Sequence, residues 1–388
     1  MIKNEKIRDV ANTAVMLILF MFYALTFMVP KFYGWTEDYV GVFVFVMLII
    51  LALINVNPIS EAKSLNVDFL ITAALVIITG VNLLIVKSGL GAFFVMADFA
   101  AIWYLSDKIK LKKWQMYTMG IAYLLLMLYW FFYAYGWMFK DYTAYAMNTN
   151  TASTFTMFSI LCLFVLLEML YEKYKIVGLF MVIVLVKAFQ ITLYHRGRGS
   201  FIMLIFFLLF RFIIPKKWWE KKGFYRFIVV FSTLGSLLFV AFYVVLGTTG
   251  INFRLPFFYK NLFTGREAIW LEFWNLFKAK PLTGIGTNVT IESFFEFNVH
   301  NAMYNILVIH GLIVFVLTLV LMFRRFRKYQ STFTKSFVSM SALLAVFAVC
   351  IESFFDVDLI WANYSLNLLF LLLAANGTLA KSGCESCK

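Results

Sequence analysis

Residues 153–171 read STFTMFSILCLFVLLEMLY. A single acidic residue, Glu168, interrupts a run about as long as the roughly 20 residues that cross a bilayer core. Windows of the same kind lie directly downstream, IVGLFMVIVLVKAFQITLY at 176–194 and GSFIMLIFFLLFRFII at 199–214. Working outward, others fall near 11–30, 39–54, 68–86, 90–106, 117–139, 224–247, 303–323, 334–353 and 358–376. The reading is an all-α integral membrane protein with about 12 spans. The whole composition agrees: 388 residues, 63% hydrophobic, 20% aromatic and only 14% charged, more apolar surface than a soluble core absorbs.

The spans form one polytopic domain, 1–388, with no linker that divides it and no internal repeat. The first apolar stretch ends at Val29-Pro30 without a small-residue cleavage site and reads as an anchor. Cys162 and Cys350 fall inside spans. Cys384 and Cys387 form a lone Cys-x-x-Cys, which lacks the second half of a zinc site.

Most of the 34 lysines and arginines lie on one side of this layout. The clusters at 108–113, 216–226 and 324–328 agree, so both termini are expected in the cytoplasm and the protein in the cytoplasmic membrane. The net charge of +14 then reflects topology and anionic lipid, not nucleic acid, because the cations are split among short loops.

Against that rule stand Arg196, Arg198, Arg266 and His300 on the outer side. Arg196 and Arg198 sit in Tyr194-His195-Arg196-Gly197-Arg198-Gly199-Ser200. Arg266 and His300 sit in the one large extracytoplasmic loop, 248–302. In that loop Thr264-Gly265-Arg266-Glu267 reads as a capping box with Thr264 as N-cap, opening an amphipathic helix to about Lys278. Its apolar face would lie on the membrane or roof a cavity, with tryptophans at headgroup level. Pro281-Leu282-Thr283-Gly284-Ile285-Gly286 follows as a turn-rich stop.

Outer cations kept near glycines point to a bound anion. Arginine stays charged and grips phosphate oxygens with two N–H groups, so Arg198 and Arg266 are the candidates for holding a diphosphate leaving group. Arg196 is a helper, and the neighbouring glycines, Gly265 among them, leave backbone free to approach phosphate. The plain alternative is that these arginines snorkel at helix ends. His300, at the start of the tenth span, is the candidate general base. Its alternative is a hydrogen-bonded histidine at a helix start. His195 and Asn301 adjoin these residues as further contacts, and His310 reads as packing. Asp98, Glu168 and Lys187 lie within spans and call for partners. Glu352, Asp356 and Asp358 cluster outside, either near sugar hydroxyls or simply solvated. No Asp-x-Asp, His-rich metal cluster, phosphate loop or dinucleotide fingerprint is present, so no metal or cofactor is expected.

The run Thr264-Gly265-Arg266 … Trp270 … Lys280-Pro281-Leu282-Thr283-Gly284-Ile285-Gly286 … His300-Asn301 … Gly311 resembles the signature of the O-antigen ligase and polymerase superfamily (Wzy-type). Arg198-Gly199-Ser200 resembles its Ser-Arg-Gly segment, with Gly197 where Ser is usual. The motifs span about a third of the chain. The resemblance implies a membrane-embedded C-type glycosyltransferase, metal-independent and inverting, that uses undecaprenyl-diphosphate-linked oligosaccharides as donor and acceptor. It implies that Arg198 and Arg266 hold the diphosphate, that His300 activates the acceptor hydroxyl or assists from beside it, and that a flippase and a chain-length regulator are partners. Richness in Phe, Ile, Lys and Tyr suits low-GC Gram-positive bacteria, which lack lipid A, and favours a polymerase over a ligase. A flippase would need charges in a central cavity. A scaffold subunit would tolerate loss of all three basic residues.

Overall fold

The computed structural model describes residues 2, 4–134, 148–250, 254–255, 260–261, 263, 265–293 and 298–376. Thr264, the Cys384/Cys387 pair and the end of the fifth expected span lie outside them. The helices are α1 (Glu5–Met28), α2 (Pro30–Asn55), α3 (Pro58–Lys63), α4 (Val67–Ile85), α5 (Leu90–Lys108), α6 (Lys113–Tyr129), α7 (Thr149–Lys173) and α8 (Val177–Tyr194). They continue as α9 (Arg198–Leu208), α10 (Lys216–Trp219), α11 (Lys222–Thr248), α12 (Arg266–Phe277), α13 (Ala302–Tyr329), α14 (Phe337–Glu352) and α15 (Ser365–Ala375). A two-residue hairpin, β1 (Arg254–Leu255) with β2 (Lys260–Asn261), pairs Arg254 with Asn261.

A helix lies in each window read from the sequence. Among the described residues, nine helical stretches are long and apolar enough to cross a membrane, and the chain is a multi-pass membrane protein. The stretches at 198–213, 337–352 and 362–375 are shorter. Asparagine and serine start several of the helices. Asn66, for example, accepts the backbone N–H groups of Asp68 and Phe69, supplying partners that a helix start otherwise lacks. The segment between the first two expected spans is helical. Pro30 opens α2 straight after α1, because a proline needs no N–H partner at a first helical position.

The stretch 153–171 belongs to the central helix. In α7, 94% of the most apolar window is buried, against 17% in α4. A helix apolar all round belongs inside a bundle, whereas α4 shows a broad face to lipid. Helix α14 packs on α7, α9 and α15, and Gly120 lets α6 close on Leu166 of α7. Glu168 has its partner in Arg211, at 2.7 Å and 3.1 Å through two N–H donors, so it locks α7 to the turn after α9. Lys187 donates to Gln190 within its own helix. Asp98 is buried in α5, and no described residue hydrogen-bonds its carboxyl oxygens.

Residues 281–286 behave differently from the surface stop read in the sequence. They insert against α13, which breaks at Gly311 (φ 88°, ψ 170°). The break frees backbone groups that a low-dielectric interior cannot leave unpaired. The loop supplies the partners: Ile285 N donates to the Val308 carbonyl at 2.9 Å and Gly286 N to Ile309 at 3.1 Å. Leu312 N donates to the Pro281 carbonyl at 2.8 Å. Asn82 of α4 donates to the carbonyls of Thr283 and His310. Gly284 (φ 76°) and Gly311 face each other so closely that a Cβ on either would strike the other segment's backbone. This motif is therefore a structural joint.

Candidate functional site

Two helices begin with the same dipeptide. Gly197-Arg198 opens α9 and Gly265-Arg266 opens α12. The first start follows from how α8 ends. Gly197 N donates to the Thr192 carbonyl and Arg196 N to Leu193, the paired bonds of a Schellman turn, with Arg196 at φ 54° in the position that usually takes glycine. The turn leaves Arg196 exposed and makes Arg198 the first helical residue. Backbone geometry thereby puts Arg198, and not Arg196, in the cavity lining.

Helix α12 starts one residue later than the capping-box reading required. Its N-cap is Gly265 at φ 90°, with no side-chain cap. Ile269, Trp270, Phe273 and Phe277 are buried, as the helical wheel implied, but Trp270 is a core residue and not a headgroup anchor. Its indole N–H donates to the Val299 carbonyl at 2.6 Å, and the Tyr304 hydroxyl donates to the Trp270 carbonyl at 2.7 Å. That pins the segment entering α13. Asn301 caps α13 by accepting Tyr304 N, and it also accepts from the Ser236 hydroxyl and donates to the Phe354 carbonyl. Ala302 N donates to the Ser353 carbonyl. Between these anchors His300 is held at φ 51°, a left-handed conformation that costs a non-glycine residue on the order of 1–3 kcal/mol and persists only where neighbours impose it.

A small polar cavity lies where these segments meet. It is lined by the first turn of α9 with Arg198, by Arg266, by Asn150, Ser153 and Thr154 at the start of α7, by Glu352 at the end of α14, and by Phe355 and Asp356 just beyond it. Arg198 Nη1 donates to the Asn261 carbonyl of β2 at 3.0 Å. Arg266 Nη1 donates to the Phe355 carbonyl, and its Nη2 lies 3.9 Å from Asp356 Oδ2. The other oxygen of Asp356 lies 3.5 Å from His300 Nδ1. Asp356 thus bridges the histidine and one arginine. Burial works against its charge, but the His300 contact and the Arg266 guanidinium outweigh it and hold this carboxyl below the usual carboxylate range. Asp358, on the same turn, is pushed up to about 8 by burial and then by the charge of Asp356.

The structure gathers Arg198 and Arg266 at one cavity and sets His300 behind Asp356, against the cavity wall. It does not bring the remaining candidates there. Asn301 is 0% exposed, its amide committed to the fold. Gly265 serves the helix start. His195 is buried at the end of α8, and burial lowers its pKa to about 4. Gly197 and Gly199 do line the cavity, but the space that side chains would take there is filled by Ser153, Ser200 and Glu352. Asp356 and Glu352 carried only an unassigned acidic signal in the sequence. The polar start of α7 carried no signal beyond serine, threonine and asparagine at a span's edge. Among the described residues no group of three or more His, Cys, Asp or Glu side chains could hold a metal ion. The chain matches no known protein-family model and no curated protein.

Proposed function

We propose that the protein is a glycosyltransferase of the cytoplasmic membrane that joins undecaprenyl-diphosphate-linked repeat units into a polysaccharide. On this reading about 12 spans carry the site to the outer face, with both termini in the cytoplasm. The observation that carries it is the convergence of two Gly–Arg helix starts on one polar cavity. Helix N-termini and arginines together attract phosphate, and fixed cations stabilise charge that grows on a departing diphosphate.

In this scheme the acceptor hydroxyl attacks the anomeric carbon from the face opposite the diphosphate. The C–O bond to phosphate breaks with its electron pair passing to the diphosphate, beside Arg198 and Arg266. The hydroxyl proton passes to the His300–Asp356 pair, and the anomeric configuration inverts. No metal enters the scheme. The first experiment supplies the purified protein with a lipid-diphosphate-linked repeat unit and resolves products by gel. A ladder of longer lipid-linked glycans, indifferent to chelator and lost in Arg266→Ala, supports the polymerase. Turnover only after a foreign acceptor is added would make the protein a ligase. Passage of intact substrate across a vesicle bilayer without turnover would make it a flippase. A product of retained configuration would remove the single-displacement scheme.

A further inference from the structure

Glu352 sits where an anion site should not hold a carboxylate. It lines the same cavity as Arg198 and Arg266 and is 1% exposed. Its Oε1 presses on the first turn of α9 so tightly that a Cβ at Gly199 would lie 2.6 Å away. Arg266 makes its ion pair with Asp356, and among the described residues no lysine, arginine or histidine lies within ion-pair distance of Glu352. Among the described residues the hydrogen bond that reaches its carboxyl is a long one, from the Ser353 hydroxyl to Oε2 at 3.5 Å. A carboxyl this buried, with no cation closed on it and the acid Asp356 in the same lining, takes its neutral form to avoid the cost of a buried charge.

We infer that Glu352 is a substrate-contacting residue that acts as a neutral carboxylic acid, donating a hydrogen bond to the diphosphate as it departs. This rests on the glycosyl-transfer reading above. Ionised, Glu352 would repel a diphosphate at close range. Protonated, it adds a third donor beside the two guanidinium groups, in a buried site where such a donor is strong. A carboxyl kept neutral by burial so that it can donate to a developing anion is a known catalytic device. The proton stays on the carboxyl throughout, and the acceptor's proton still leaves through the His300–Asp356 pair. The groups that face Glu352 are Arg198 from α9, Arg266 from α12, Asp356 and Asp358 from the turn after α14, and Tyr364 ahead of α15. Near neutrality the burial of Glu352 keeps its proton in place. As pH climbs further, that proton is lost and the donor with it.

The test compares wild type, Glu352→Gln and Glu352→Ala in lipid nanodiscs. Two quantities are read from neutral to alkaline pH: binding of a polyprenyl diphosphate without sugar, and rate with the glycan-bearing donor. Glutamine keeps a neutral donor, so Glu352→Gln should retain most of the diphosphate binding and rate that Glu352→Ala loses, and should lose the alkaline fall in both readouts. Glu352→Ala should be slower by on the order of 100-fold. A Gln variant as slow as Ala with diphosphate binding intact would show that the ionised carboxylate is needed, and would overturn the proposal. So would an Ala variant equal to wild type. If Ala does not fold, the Gln pH profile decides alone: an alkaline fall unchanged from wild type sinks the idea. If wild type binds the diphosphate but transfers no sugar, the glycosyl-transfer reading fails. The pH dependence of diphosphate binding in wild type and Gln then still judges Glu352.

Discussion

Two ionic clusters stand in contrast in this molecule. In the first, Arg325 of α13 is 1% exposed and reaches Asp68 of α4 at 3.3 Å and Asp107 of α5 at 3.0 Å. Arg324 and Lys328 close on the same two carboxylates. In the second, Arg266 and His300 reach Asp356 only at 3.9 Å and 3.5 Å, and the space between the elements is an open polar cavity. The first cluster is closed and joins three helices. The second is loose: Arg198 and Arg266 each donate to a backbone carbonyl, and the ion pair of Arg266 with Asp356 is a long one. Similar residue types thus close on one another in one place and line a cavity in the other, and on the proposed reading closure of the ion pairs separates a structural cluster from a ligand site.

The comparison breaks most sharply at the closed cluster. Replacing both Asp68 and Asp107 by Asn leaves the Arg325 charge buried without a carboxylate, which should cost about 3–5 kcal/mol of stability. A lowered thermal midpoint in detergent, with the specific rate of the folded fraction unchanged, is the expected result. At the open cluster Arg266→Ala should do the reverse: a near-normal midpoint and a rate lower by at least about 100-fold, or about 2.7 kcal/mol of barrier. Equal losses of stability in both variants would erase the distinction. A smaller effect should come from Gly311→Ala, which forces a side chain into φ 88° and onto the Leu282 carbonyl. It should cost about 1–3 kcal/mol, more if the 281–286 loop is expelled, read as faster proteolysis of that loop. Asn301→Ala should be milder, about 1 kcal/mol for the lost cap, and should leave diphosphate binding intact. Loss of binding there would return Asn301 to the site.

What the sequence made legible follows the same division. Spans could be read because apolar length is a local property, but the central place of 153–171 emerged only from its burial in the bundle. Arg198 and Arg266 could be read because cations on the less basic side break a pattern. The joint between Pro281–Gly286 and Gly311 could not, because it is made of backbone hydrogen bonds between segments that hydropathy treats separately. Asn301 was misjudged for a related reason. Its neighbour His300 suggested chemistry, while its amide is spent on Ser236 and Phe354, residues far off in sequence. The roles of Glu352 and Asp356 depend on whether a cation closes on them, which only three-dimensional distances reveal. The start of α12 shifted because Gly265 takes the left-handed cap position that Thr264 was expected to replace with its side chain.

The central claim is that Arg198 and Arg266 form a diphosphate site left open by design of the surrounding fold. The most direct measurement is the affinity of the purified protein for a polyprenyl diphosphate, beside the corresponding polyprenyl alcohol. Wild type, Arg198→Ala, Arg266→Ala and Arg196→Ala would be compared at constant salt. The account predicts binding that requires the diphosphate, that falls in both the Arg198 and Arg266 variants, and that persists in Arg196→Ala. Equal affinity for alcohol and diphosphate, or binding indifferent to Arg198 and Arg266, would contradict it.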